Sequence, residues 1–321
     1  MFDLKGYLRK NTSVKLKQDN EWVIPCVCDQ VRGSEKAHLW INLTKQAGFC
    51  FRCQARYSLV EIVRHVEGCD IYDAFAIVRE NENGSSRLQT VLSQMDPDMD
   101  VADEATKPRL PVVLPPEYEP ITKKVPRYLR ARGVSLSLCR IHEIGVCRYG
   151  YYRNRIIVPV YDLVGKLALF VARWDTTFPK PATAKKILYP KGSRTSRVLF
   201  NHKRASAFKT VVVTEGVFDA MRAGSRAVAV FGKHVARPNL VNLMALGQSR
   251  KLVIMLDPDA VDDAEALAEE LIEICPRVYL ASLPSGRKDP GEATPAEIRE
   301  AVSGARRVGG PGARLAAALR L

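Results

Sequence analysis

From residue 210 onward the chain alternates between two kinds of segment, and few folds accommodate that alternation. Apolar runs at 211–214 (VVVT), 227–231 (AVAVF), 251–256 (KLVIML) and 277–283 (RVYLASL) are separated by longer stretches with helical periodicity, such as 261–275. Short runs that are apolar throughout, rather than on alternate residues, are strands buried on both faces. Strands separated by helices join in parallel, with the helices covering the sheet. The expectation for 210–303 is an α/β unit on a mainly parallel sheet.

In such sheets, sites form outside the carboxyl ends of the strands. Glu215 directly follows VVVT, and Asp257 and Asp259 directly follow KLVIML. Asp257 and Asp259 are two apart, so an extended backbone points them the same way. Asp219 falls on the first turn of the helix that follows Glu215-Gly216, and Asp289 lies in RKDPGEAT after the last strand. Carboxylates gathered in this way repel one another unless cations compensate. Hard oxygen ligands suit Mg²⁺ or Mn²⁺, and such ions clamp phosphates and activate oxygen nucleophiles. Asp262 and Asp263 need no such reading, because aspartate is a common helix-starting residue.

The front of the chain differs. Residues 1–83 read as short strands, a cysteine group and a helix, YSLVEIVRHVEG, entered through Ser58 and Glu61 at capping-box spacing. Four of the eight cysteines, Cys26, Cys28, Cys50 and Cys53, crowd into this unit. The CxxC pair between apolar residues is a zinc-knuckle pattern, whereas a disulfide scaffold would spread cysteines along the chain. The first pair is CxC, one residue tighter. Cys26, Cys50 and Cys53 are therefore the firm ligands, and the fourth is Cys28, with Asp29 or His38 as alternatives.

Between these units the composition changes twice. Residues 84–120 mix acids, Ser, Gly and Pro without period, as a linker does. Residues 106–210 then hold 22 Lys and Arg against 5 Asp and Glu, in a chain whose net charge is +14. So concentrated an excess forms a polyanion-binding surface. Within it, RIIVPVYD (155–162) and KLALFVARW (166–174) read as strands joined by a tight turn. The apolar runs are all far shorter than the roughly 20 residues that span a bilayer, and the first residues have no apolar core of a signal peptide. The expectation is a cytoplasmic protein without membrane contact, in a host cytoplasm if a phage or plasmid encodes it.

Three motifs in order carry a family resemblance. EGxxDA, a strand into DxD, and KDP after the next strand resemble the TOPRIM domain of bacterial-type primases, topoisomerases and some nucleases. The segment from Cys26 through CFRCQARYSLVEIVRHVEG resembles the N-terminal zinc ribbon of bacterial and phage primases. YYRNRIIVPVYD with AKKILYPK resembles the subdomain that precedes TOPRIM in those primases. The departures are the CxC pair, the absence of a glycine soon after DxD, and Gly291 where primases often carry another acid.

The resemblance implies a multidomain α/β (α+β) protein: a small β-rich zinc ribbon (1–83), a flexible linker (84–120), a basic subdomain (121–209), a TOPRIM catalytic domain (210–303) and a basic tail (304–321). It implies a DNA primase, making short RNA primers on single-stranded DNA from ribonucleoside triphosphates. Glu215, Asp257 and Asp259 are then catalytic and, with Asp219 and Asp289, hold Mg²⁺ or Mn²⁺; one structural Zn²⁺ sits on the cysteines. Arg153, Asn154, Arg155, Lys185, Lys186, Lys191, Lys233 and Lys288 bind nucleic acid or nucleotide. Template choice by the ribbon suits Lys36, Trp40, Lys45, Arg52 and Arg56. With no GxxxxGK[ST] loop in the chain, a separate replicative helicase or other replisome protein is the expected partner, docking through the tail. The alternatives are a TOPRIM nuclease, which would use the same metal site, and a non-catalytic zinc-containing single-strand-binding adaptor.

Overall fold

The computed structural model describes residues 2–17, 19–26, 37–69, 73–74, 77–78, 111–284 and 286–309. Cys28, Asp29, Lys36, most of the expected linker and the end of the expected tail lie outside the described residues. The described residues form a mixed α/β architecture around three five-stranded sheets.

The first sheet follows helix α1 (Leu4–Asn11) and runs in simple order through β1 (Leu16–Lys17), β2 (Glu21–Ile24), β3 (Leu39–Asn42), β4 (Ala47–Cys50) and β5 (Arg56–Tyr57). All its pairings are antiparallel. Helix α2 (Leu59–Glu67) starts where the sequence places it. Ser58 Oγ accepts from Glu61 N–H, the Glu61 carboxylate accepts from Ser58 N–H, and Gly68 closes the helix at φ 65°.

The second sheet is also antiparallel, in order β10-β9-β8-β7-β6. Its strands are β6 (Tyr118–Pro120), β7 (Gly145–Cys147), β8 (Arg155–Tyr161), β9 (Leu167–Trp174) and β10 (Ile187–Leu188); helices α3 (Arg127–Ala131) and α4 (Leu136–Ile141) separate β6 from β7. The expected tight turn joins β8 to β9. Asp162 Oδ1 accepts from Val164 N–H at 3.0 Å and Lys166 N–H at 2.8 Å, and Gly165 takes φ 88°. Residues alternate between two apolar clusters: Ile156, Val158 and Val160 on one face, Ile157, Phe170 and Ala172 on the other.

After α5 (His202–Ala205) comes the alternating unit: β11 (Thr210–Thr214), α6 (Val217–Ala223), β12 (Ala227–Ala229), α7 (Arg237–Gly247), β13 (Lys251–Ile254), α8 (Val261–Ile272), β14 (Val278–Leu280), α9 (Pro295–Ser303) and β15 (Arg306–Arg307). The sheet order is β12-β11-β13-β14-β15; its first four strands are parallel. The start of the expected tail departs from expectation, because Arg306 and Arg307 pair antiparallel with β14 as an edge strand. Both faces of the sheet are covered. Val211 and Val213 join a core with α7, α8 and the first sheet, and Val212 and Val253 join the core beneath the second sheet.

Candidate metal and nucleotide site

Five acidic residues flank the carboxyl ends of β11, β13 and β14. Glu215 leaves β11, and its carbonyl accepts from Phe231 N–H at 2.9 Å, which ties it to the end of β12. Asp219, one turn into α6, is 8% exposed. Its Oδ2 accepts from Gly216 N–H and its Oδ1 from Gly291 N–H, both at 3.0 Å. Asp219 therefore joins the β11–α6 corner to the loop that carries Asp289. The sequence expectation makes Asp219 a metal ligand; the structure adds that both of its oxygens accept from backbone N–H groups. Both glycines are needed for the close approach. A Cβ on Gly216 would lie 2.5 Å from Asp219 Oδ2, and one on Gly291 would lie 2.8 Å from Asp219 Oδ1 and 3.0 Å from Asp289 Oδ1. The departure at residue 291 thus supplies a backbone donor in a space where a side chain does not fit.

Asp257 is half-buried, and its Oδ1 is sealed from solvent with no hydrogen-bond partner among the described residues. Burial, then the charges of Asp219, Glu215, Asp289 and Asp259, push its carboxyl up to about 7. Burial and Asp289 push Asp219 to about 6, against the pull of Gly291 N–H and the Arg132 guanidinium. Glu215 is also raised, by burial and Asp259, with Lys233 opposing. A sealed carboxylate oxygen with no donor, among mutually repelling acids, is the environment a cation relieves. The donor set fits a hard divalent ion. The acids face one another electrostatically without closing into a cage: among the described residues, the only group of three with ligand atoms within 4.8 Å is cysteine. Asp259 is exposed, and Asp289 Oδ1 accepts from Glu292 N–H at 2.9 Å.

That cysteine group is Cys26, Cys50 and Cys53, brought together as β2 ends, β4 ends and the chain turns. Cys26 Sγ and Cys53 Sγ are 3.8 Å apart, and the Tyr57 hydroxyl lies 3.1 Å from Cys26 Sγ. Three convergent sulfurs on strand ends and a turn could hold a metal ion.

The basic residues divide. Arg153, Lys185, Lys186 and Lys191 are exposed on the second unit, and Lys233 and Lys288 are exposed on the loops beside the acids. Asn154 occupies the turn before β8 at φ 58°. Arg155 does not belong with the exposed group. It is 4% exposed, lies over the Trp174 ring, and donates to the carbonyls of Ala172 at 3.0 Å and Lys185 at 2.7 Å. Its guanidinium is used internally and fixes the backbone that presents Lys185 and Lys186. Sequence reasoning missed Arg132, whose charge acts on Asp219 and whose guanidinium lies over Tyr128 and Phe218. Nothing in the local sequence links it to Asp219, 87 residues on.

Comparison with known proteins finds similarity to primases. No family model matches the chain. A DNA primase of Synechocystis sp. is 26% identical over 178 residues, which is 50% of this chain and 27% of that protein. The chain therefore spans about a quarter of the length of this curated relative. Similar solved structures include the zinc-binding and RNA polymerase domains of Aquifex aeolicus primase, with 14% identity, TM-score 0.48, and coverage of 95% of this chain and 84% of that one. The primase fragment of the bacteriophage T7 primase-helicase is 23% identical with TM-score 0.43, covering 55% of this chain and 74% of that one.

Proposed function

We propose that the chain is a DNA primase that links ribonucleotides on a single-stranded DNA template. The observation that carries the reading is the acid group at the carboxyl ends of β11, β13 and β14, with a sealed, unpartnered oxygen on Asp257. The likeness to the Synechocystis primase supports it. In this reading residues 1–83 are a zinc-bearing template-recognition unit, 121–209 a basic template-holding subdomain and 210–303 the catalytic unit.

Glu215, Asp257 and Asp259 are the catalytic carboxylates. Bound Mg²⁺ or Mn²⁺ supplies neutralisation of phosphate charge and activation of the attacking 3′-hydroxyl. Asp219, held by two backbone N–H groups, fixes the separation of the β11 corner and the Asp289 loop. Lys233 and Lys288 provide positive charge beside the triphosphate, and Arg153, Lys185, Lys186 and Lys191 grip template phosphates. The reaction forms a bond between the 3′-oxygen and the α-phosphorus and releases pyrophosphate, so the protein acts mainly by positioning and charge. Zn²⁺ is the ion proposed for the cysteine group, in a structural role. A replicative helicase or other replisome protein is the proposed partner for residues 304–321.

The test is dinucleotide synthesis from ribonucleoside triphosphates on single-stranded DNA, with Glu215→Gln alongside. The expected result is product from the wild type, none from the variant, and similar DNA binding by both. Shortening of the DNA without added nucleotides would favour the nuclease reading instead.

A further inference from the structure

The guanidinium of Arg250 is wholly buried, although it belongs neither to the acid group nor to the cysteine group. It sits between α7 and β13 and reaches into three segments. Nε and Nη2 donate to the Ser206 carbonyl at 3.1 and 3.0 Å, after α5. Nη1 donates to the Leu246 carbonyl at 3.2 Å and pairs with Glu61 Oε2 at 3.4 Å; Nη2 also donates to the Arg56 carbonyl. Glu61 and Arg56 belong to the cysteine-bearing unit, nearly 200 residues away in sequence.

The contact extends beyond one side chain. Arg56 N–H donates to the Ser206 carbonyl at 3.1 Å and Arg56 Nε to the Ala207 carbonyl at 3.3 Å. One continuous apolar core holds Trp22, Ile24 and Ile62 together with Ala205, Leu246 and Leu252. His202, also buried here, lies 4.0 Å from Glu61 Oε1. Burial, with Arg64 and Arg250 nearby, holds it well below the usual histidine range, so it adds no rival cation.

The location decides what this contact does. Ser206 and Ala207 precede β11, and Arg250 immediately precedes β13, whereas Glu215 and Asp257 follow those strands. We propose that Arg250 and Glu61 form a buried latch that fixes the cysteine-bearing unit in cis at the amino ends of the parallel strands, the end of the sheet opposite the acids. A strand of nucleic acid touched by both must cross the depth of the sheet, about 15 Å at roughly 3.3 Å per residue. The cysteine-bearing unit thus works from a set offset and does not swing over the acids of its own chain. An isolated buried charge is unfavourable, so losing either partner opens the contact.

Glu61 also caps α2, and glutamine can keep that role while removing the charge. The test is hydrogen exchange on the full, zinc-loaded chain, read at the Arg56 amide and across the hairpin at 155–174. In the wild type the Arg56 amide should exchange slowly. In Glu61→Gln and in Arg250→Met it should exchange at least ten-fold faster, with the hairpin unchanged. The proposal is overturned if the wild-type Arg56 amide exchanges like open chain, if the variants leave it protected, or if the hairpin accelerates equally, which would make Arg250 a general core residue. None of these readouts requires primer synthesis.

Discussion

Replacing Asp257 by asparagine should stabilise the metal-free protein at neutral pH, although it removes a proposed catalytic group. The Asp257 carboxyl is raised from 3.8 to about 7 by burial and four neighbouring acids. A carboxyl raised in the folded state destabilises that state once ionised. The penalty is absent below the unfolded pKa, grows as pH rises from about 4 to about 7, and is complete above. Three pH units correspond to roughly 4 kcal/mol; because the side chain is half-exposed, solvent screening reduces this to about 2 kcal/mol. Asparagine lifts the penalty and sacrifices no hydrogen bond at Oδ1, which has no partner among the described residues. For a chain of 321 residues the gain is on the order of 3 °C in the unfolding midpoint. The assay is thermal unfolding of wild type and Asp257→Asn at pH 4 and pH 8 in buffer free of magnesium and manganese, then with either ion added. The variant should be more stable at pH 8, the advantage should shrink toward pH 4, and added ion should stabilise the wild type more. A variant that is less stable than wild type at pH 8 without ion, or equally favoured at both pH values, would show that Asp257 carries no such penalty.

Other expectations follow from the same geometry. Gly291→Ala places a Cβ 2.8 Å from Asp219 Oδ1 and 3.0 Å from Asp289 Oδ1, so nucleotide transfer should fall at least ten-fold while the fold persists, as circular dichroism would show. Cys50→Ser should lose bound zinc, measured by atomic emission, and lower the unfolding midpoint of the N-terminal unit. Arg155→Met strands the carbonyls of Ala172 and Lys185 and should cost about 2–4 kcal/mol in denaturant unfolding. Lys185→Ala should leave stability unchanged and reduce the salt dependence of single-strand binding by about one unit of slope.

Much of this fold was legible because the relevant signals are local. The buried parallel strands, the Ser58–Glu61 box and the 162–166 turn each follow from residues a few positions apart. The acids were legible because a strand that ends in a carboxylate points to the sheet's functional edge. What escaped was set by distant contacts. Arg155 reads as one more cation in a basic run, and only its packing on Trp174 shows it to be internal. The two backbone donors to Asp219, one of them from a loop 72 residues on, have no local signal. Glu61 could be read as a cap, whereas its second partner, Arg250, is 189 positions away. Arg306 and Arg307 look like a frayed basic end because an edge strand of two residues has no pattern of its own.

The proposed activity is template-directed joining of ribonucleotides at the acid group. The most direct measurement is the sequence of RNA made on a single-stranded DNA of known sequence, with Mg²⁺ or Mn²⁺, by wild type and Glu215→Gln. The expected result is short RNAs complementary to the template from the wild type and none from the variant. RNA unrelated to the template, or equal product from Glu215→Gln, would contradict it.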